Sequence, residues 1–316
     1  MTDMPATNIP TSWRLLDAAE AMAARLWPAS MRRFTGWLLL SPAFLLVFVL
    51  VAGLVLIAGY SLHELDTSTY RLRADYTLEN YADIVVKPVY WKIIGRSLLA
   101  ALIVTAVTVA LAFPYAYVMV RTRSSLLRKL LLISLFLPFF IGQVVRAYGW
   151  LILLGNQGLL NAMFGWIGLG PFNMIANYGA VIVGLVQFML PFAALLLAPA
   201  IVAIHEEVEL ASESLGANWL RTLWHVTLPM AKPGLIAASV VVFTLTLTDF
   251  AMPEILGGGT TDFIANAIYD AFFQISDKGF GSALSILLVA LGSLLVALIF
   301  ALAGAGTLSF VSEKRK

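Results

Sequence analysis

The sequence predicts an all-α, polytopic membrane fold of six spans, and three observations carry that expectation: the composition, the length of the apolar runs, and the placement of Lys and Arg. Hydrophobic residues make up 60% of the 316 and charged ones 12%, with a mean hydropathy of +0.90, a balance foreign to soluble globular domains. An apolar run of about 20 residues crosses, as a helix, a hydrocarbon core roughly 30 Å thick, and several runs here are that long. The absence of cysteine excludes disulfides, thiolate metal sites and thiol catalysis. A net charge of +2 is too small to imply a nucleic-acid partner.

The elements follow in chain order. Residues 1–34 are expected to form a cytoplasmic interfacial helix, with Trp13, Leu16, Ala19, Met22, Ala23, Leu26 and Trp27 on one face and Arg14, Asp17, Glu20 and Arg25 elsewhere. A cleaved signal is the alternative, but the first apolar stretch is too long for a signal's core. The six-span domain is expected over 35–307, with spans at about 35–62, 97–120, 130–154, 179–203, 234–256 and 282–307 and a tail at 308–316. Pro114, Pro138, Pro191 and Pro253 fall within or near span ends, where each removes a backbone donor and kinks the helix unless a neighbour compensates. Kinked helices suit a moving pathway, although Pro and Gly are also commoner in membrane helices generally.

Charge sets the expected orientation. Arg32 and Arg33 precede the first span, Arg121, Arg123, Arg128 and Lys129 crowd a short second loop, and Lys314, Arg315 and Lys316 close the sequence. Short loops rich in Lys and Arg stay in the cytoplasm, so both termini are expected there, in a bacterial inner membrane. The connection 155–177 carries no charge, and that from 257 to 281 carries Asp262, Asp270 and Asp277 against Lys278; both are expected outside. The segment 63–96 mixes bases with acids and weakens the pattern.

The loop 204–233 is unusually organised. Glu206, Glu207, Glu209 and Glu213 favour the N-terminal half of a short helix. Gly216 supplies the permissive backbone at which that helix ends, and Asn218 can cap a second. The second is expected over 219–227, with Trp219, Leu223 and Val226 on one side, until Pro229 and Pro233 stop it.

This helix-Gly-helix element resembles the EAA loop of type I ABC importer permeases, whose pattern is Glu-Ala-Ala, three residues, Gly, nine residues, Ile, one residue, Leu-Pro. Ala211, Gly216, Val226, Leu228 and Pro229 fall in register with it. The pattern's Glu falls on Leu210 and its second Ala on Ser212, so the acid is displaced to Glu209 or replaced in role by Glu213. The segments 77–98, 144–161 and 249–258 are similar to the spermidine/putrescine permease B branch, whose members also import other organic cations, opine-like compounds and occasionally anions. The resemblance implies a MetI-like permease fold whose coupling helices dock on a separate ATPase. Glu209, Ala211, Glu213, Gly216, Ala217, Trp219, Arg221, Val226, Leu228 and Pro229 would then couple to it. It also implies ATP and Mg bound on that partner, a second permease subunit (a paralogue or a second copy) and a periplasmic solute-binding protein.

Ionisable groups at membrane depth face a cavity or each other. Arg146 and Asp249 are therefore expected either to line the solute pathway or to pair. Asp249 and Glu254 would attract a polyamine-like cation, while Tyr148 and Trp150, with Gln143 and Gln187, could add hydrogen bonds and stacking surfaces or, for the aromatics, anchor span ends. No G-x-x-x-x-G-K-[ST] phosphate loop occurs, and His63, His205 and His225 are scattered rather than set at metal-ligand spacing. A transport subunit rather than an enzyme is expected. An ion-gradient-driven secondary transporter is the alternative, though its usual related halves are not visible.

Overall fold

The computed structural model describes residue 13, residues 32–66 and residues 68–303. The interfacial helix expected over 1–34 and the tail at 308–316 lie outside the described residues, apart from Trp13 and the first turn of the first helix. That helix, α1 (Arg32–Ser61), runs unbroken through Pro42 and is long and apolar enough to cross a membrane.

The chain divides into two units, Met1–Leu56 and Ile57–Lys316. The second opens with a two-residue antiparallel hairpin, β1 (Leu65–Asp66) against β2 (Arg71–Leu72), and a short helix, α2 (Glu79–Val86). Lys87 then turns to an extended conformation, as the residue before a proline prefers, and Pro88 opens α3 (Pro88–Arg121). At 34 residues and 1.5 Å per residue, α3 is about 51 Å long. It outruns the hydrocarbon core, so its first turns, which hold Lys92 and Arg96, stand beyond the apolar stretch expected at 97–120.

The core is a packing of small side chains. Ser97, Ala101, Val104, Thr108, Ala112 and Ala116 are buried along α3, three or four residues apart on one face of the helix, with Ala100 beside them. That helix packs against α7 (Tyr178–Val202) and α10 (Lys232–Leu247), which also pack on each other. Lipid offers apolar groups no reason to associate, so close backbone approach through small residues supplies the contact energy instead. A Cβ at Gly234 would overlap Ala200, which shows how closely α10 and α7 meet.

Two regions expected as single helices are broken. The run at 130–154 divides into α4 (Ser125–Phe136), a 3₁₀ turn (Leu137–Phe140) and α5 (Gln143–Leu154), with α6 (Leu159–Trp166) beyond; the halves bend by 104°. Pro138 cannot donate within that turn and Gly142 is extended, so the chain changes direction between them. In the loop after α7, α8 (Glu206–Ser214) precedes α9 (Trp219–Met230), which bends by 72° into α10 at Ala231. The run expected at 234–256 ends at Leu247 and restarts as α11 (Ala251–Gly257). Then come α12 (Ile264–Tyr269), extended by a π turn at Asp270–Gln274, and α13 (Lys278–Ala303). Among the described residues four helices, α1, α3, α7 and α13, can each cross a membrane by length and composition, and there are up to six spans if each bent pair counts as one.

Candidate functional site

The loop between α7 and α10 is built from two short helices and a turn whose geometry the sequence dictates. Glu206, Glu207 and Glu209 lie in the first turn of α8, where negative charge favours the helix dipole. The helix ends in a Schellman motif: Ala217 N–H donates to Ser212 O at 3.2 Å and Gly216 N–H to Glu213 O at 2.9 Å. Gly216 has φ +88°, a left-handed backbone that side-chain-bearing residues resist. Asn218 Oδ1 accepts from Arg221 N–H at 2.8 Å and caps α9, and the Ser212 and Thr222 hydroxyls, 3.0 Å apart, tie the two helices together.

The second helix runs past Pro229, which was expected to stop it. A π turn at Leu223–Thr227 sends Leu228 N–H to Leu223 O, so the ladder is offset by one residue before the proline arrives, and Pro229 sits where the next turn needs no donor. Leu223, Val226 and Leu228 are half-buried, whereas Trp219 is 54% exposed, its ring edge toward Tyr117. Ala211, Glu213, Arg221 and Pro229 are exposed as well. An outward rim of Val208, Leu210, Leu215, Trp219, Leu220 and Trp224 results, flanked by Glu206, Glu207, Glu213 and Arg221.

Glu209 behaves differently from the other glutamates. It is buried, and its Oε1 accepts from Arg121 Nη at 2.9 Å and Nε at 3.3 Å. Its Oε2 accepts from the Tyr117 hydroxyl at 2.9 Å, and Thr227 Oγ1 donates to Oε1 at 3.4 Å. Arg121 Nη also donates to Ile204 O at 2.7 Å, so one guanidinium ties the last turn of α3 to both the start of the loop and α8. Sequence reasoning missed Tyr117, Arg121 and Thr227 as site residues. The available signal was the spacing of Tyr117 and Arg121, four apart and therefore on one face at the end of an apolar helix.

The residues expected at the solute pathway meet in two pairs, Asp249 with Gln143 and Trp150 with Gln187. Asp249 is 6% exposed; it accepts from Met252 N–H at 2.9 Å, starting α11, and from the amide of Gln143, which opens α5 after the bend. Arg146 forms no ion pair with it. Instead the guanidinium lies 4.5 Å over the Phe188 ring, with its Nε unpartnered. Trp150 donates to Gln187 Oε1 at 3.3 Å, and Tyr148 is exposed. Glu254 is exposed on α11 and accepts from buried Asn266 at 2.8 Å. Asp262 lies near it: partial burial, together with the carboxylates of Asp270 and Glu254, raises its carboxyl above the usual range against the pull of Arg96.

The family model described as "Binding-protein-dependent transport system inner membrane component" matches residues 109–307, which take in α7, the Glu209 loop and α10. The chain belongs to this family. As a member of this transport-system family it is an ABC importer permease component and a multi-pass inner-membrane protein. It is similar to the spermidine/putrescine transport system permease protein PotB of Escherichia coli K12, 32% identical over 255 residues that cover 80% of this chain and 89% of that one. The PotB of Haemophilus influenzae matches at 32% over 256 residues, 80% and 88% of the two chains. The inner membrane ABC transporter permease protein YdcU of E. coli matches at 30% over 275 residues, 83% and 87%. A solved bacterial alginate ABC transporter, in complex with an alginate pentasaccharide-bound periplasmic protein, has the same fold: TM-score 0.72 at 19% identity, over 91% of this chain and all of that one.

Proposed function

We propose that this chain forms half of a solute pathway in an ATP-driven importer of polyamine-like organic cations, with the loop 204–233 docking on a separate ATPase that binds ATP and Mg. The observation that supports it most is the construction of the loop: an exposed apolar rim with acidic flanks on a pair of helices tied to each other by Ser212 and Thr222 and to α3 by Arg121 and Glu209. Such a preformed helix face fits a groove on a partner, and surface apolar residues held outward in this way mark an interface. A helix made for anionic lipid alone would be basic, whereas this rim carries Glu206, Glu207 and Glu213. The same assignment puts both termini in the cytoplasm and α2, the hairpin and α12 outside, where a solute-binding protein delivers cargo. A second permease subunit completes the pathway.

The cation class is supported by the permease relatives named for spermidine and putrescine, together with the carboxylates of α11 and the segment after it. The test is reconstitution with the neighbouring gene products. Polyamines, amino acids and opines are screened for stimulated ATP hydrolysis and for uptake. Polyamine-stimulated hydrolysis that requires the ATPase chain is the expected result. Uptake by the purified chain without ATP would instead establish an ion-gradient transporter.

A further inference from the structure

We infer that Glu209 is not a contact for the ATPase but a positioning residue: the Arg121–Glu209 ion pair, with Tyr117, fastens the docking loop to the end of α3 so that movement of the loop moves that helix. The inference rests on the loop docking as proposed above and goes on to name the part of the membrane domain that receives the motion.

Four observations carry it. Both members of the pair are nearly enclosed, with side-chain exposures of 13% for Arg121 and 12% for Glu209. Every outward-facing acid of the loop is a different residue, and the position that matches the EAA pattern's acid holds Leu210, which is 56% exposed. The partners of Glu209 come from three places in the chain: α3 (Tyr117 and Arg121), the end of α9's π turn (Thr227) and, through Arg121, the carbonyl of Ile204. Finally, α3 is continuous from Pro88 to Arg121 and packs along both α7 and α10, so a displacement at its last turn enters the centre of the bundle. Enclosed ion pairs seldom add stability over apolar replacements, because desolvation offsets the attraction, but they fix geometry. A mechanical link needs fixed geometry. Arg121 holds Glu209 through two nitrogens while also reaching Ile204, a fork that a lysine cannot reproduce.

The test uses the full importer complex reconstituted in vesicles, and the cysteine-free sequence allows one cysteine at exposed Leu220 as the only thiol in this chain. Two quantities are read: crosslinking of Leu220→Cys to the ATPase, which reports docking, and solute taken up per ATP hydrolysed, which reports transmission. In Arg121→Lys and Glu209→Gln, crosslinking is expected to persist while uptake per ATP falls about tenfold, within the range of ordinary coupling energies. The reversed pair Arg121→Glu with Glu209→Arg is expected to recover a large part of that ratio. Because leaving one buried charge alone can unfold the segment, the reversed pair is the decisive variant. Loss of crosslinking in Glu209→Gln, with the variant assembled in the membrane, would make Glu209 a docking residue and overturn the inference. An unchanged uptake ratio in both single variants would overturn it equally. Failure of the unsubstituted loop to crosslink at all would defeat the docking proposal itself, a result distinguishable from either.

Discussion

Two buried carboxylates in this molecule are satisfied in opposite ways. Glu209 faces a guanidinium, a phenol and a hydroxyl, so its charge is cancelled where it sits. Asp249 receives only a backbone N–H and a carboxamide, neither of which carries charge, and no Lys or Arg among the described residues pairs with it. The first arrangement is a fastening, since removing either partner leaves an uncompensated ion in a closed space. The second holds a helix start in place and leaves the carboxyl without a cationic partner just before α11, the helix that carries Glu254. Position in the bundle separates them too: Glu209 lies against the end of α3 that meets the loop, and Asp249 against the break between α10 and α11.

Substitutions can break that contrast or sharpen it. The largest effect is expected at Gly216, because the fastening at Glu209 orients the rim only if the Schellman turn brings α9 back beside α8. Gly216→Val places a β-branched side chain at φ +88°, which costs on the order of 1–3 kcal/mol. Uptake per ATP in vesicles is expected to fall tenfold or more, by roughly that energy. Normal coupled uptake in this variant would show that the turn is not needed for docking.

Next in size is Asp249→Asn. An asparagine can still accept from Met252 N–H through Oδ1, and a flipped Gln143 amide can accept from its Nδ2, so the helix start survives while the carboxylate is removed. Uptake of a cationic solute is expected to fall several-fold, on the order of 1 kcal/mol, with assembly by co-purification unchanged. Unchanged uptake would remove Asp249 from the pathway and leave it a helix cap. Glu254→Gln should behave similarly but less strongly, because Glu254 is exposed and water screens it. A binding or uptake titration against salt concentration checks that ordering.

The smallest effect concerns Asp262. Its carboxyl is raised above the ordinary value of 3.8 by burial and by Asp270 and Glu254, so the folded chain holds this proton more tightly than the unfolded one does. Its contribution to stability is therefore present below pH 3.8 and is lost as pH rises through the folded-state value. Asp262→Asn is expected to flatten that part of a thermal-stability profile, and an unaltered profile would show that the neighbouring acids do not reach it.

The fold was largely legible because a membrane restricts it so severely: uninterrupted runs such as those of α1, α7 and α13 admit one structure, and each appears as a single helix. The breaks were harder. Pro138 was visible as a kink, but the 104° bend needs Gly142 as well, and nothing local announces that the two act together. After α10 ends at Leu247, Asp249 takes Met252 N–H to start α11 and also meets Gln143, a contact more than a hundred residues away in sequence. In the loop, Gly216 and Asn218 were readable as a helix end and a cap, since caps and turns are decided by neighbouring residues. Pro229 misled, because a π turn upstream had already shifted the ladder. Which of four glutamates turns inward could not be decided locally, as Arg121 lies 88 residues from Glu209.

The length of α3 has a further consequence. One continuous helix carries the Arg121 attachment at its final residue and, near its other end, the Arg96 guanidinium that donates to Thr260 O and the Arg96 carbonyl that accepts from Tyr178. Under the proposed docking on an ATPase, a helix held near both ends transmits in either direction, and thermodynamic reciprocity then requires that whatever nucleotide does to solute affinity at the Arg96 end, solute does to nucleotide affinity in equal measure. In that proposed complex, the displacement of a single helix would be enough to tell an idle motor that its passenger has arrived.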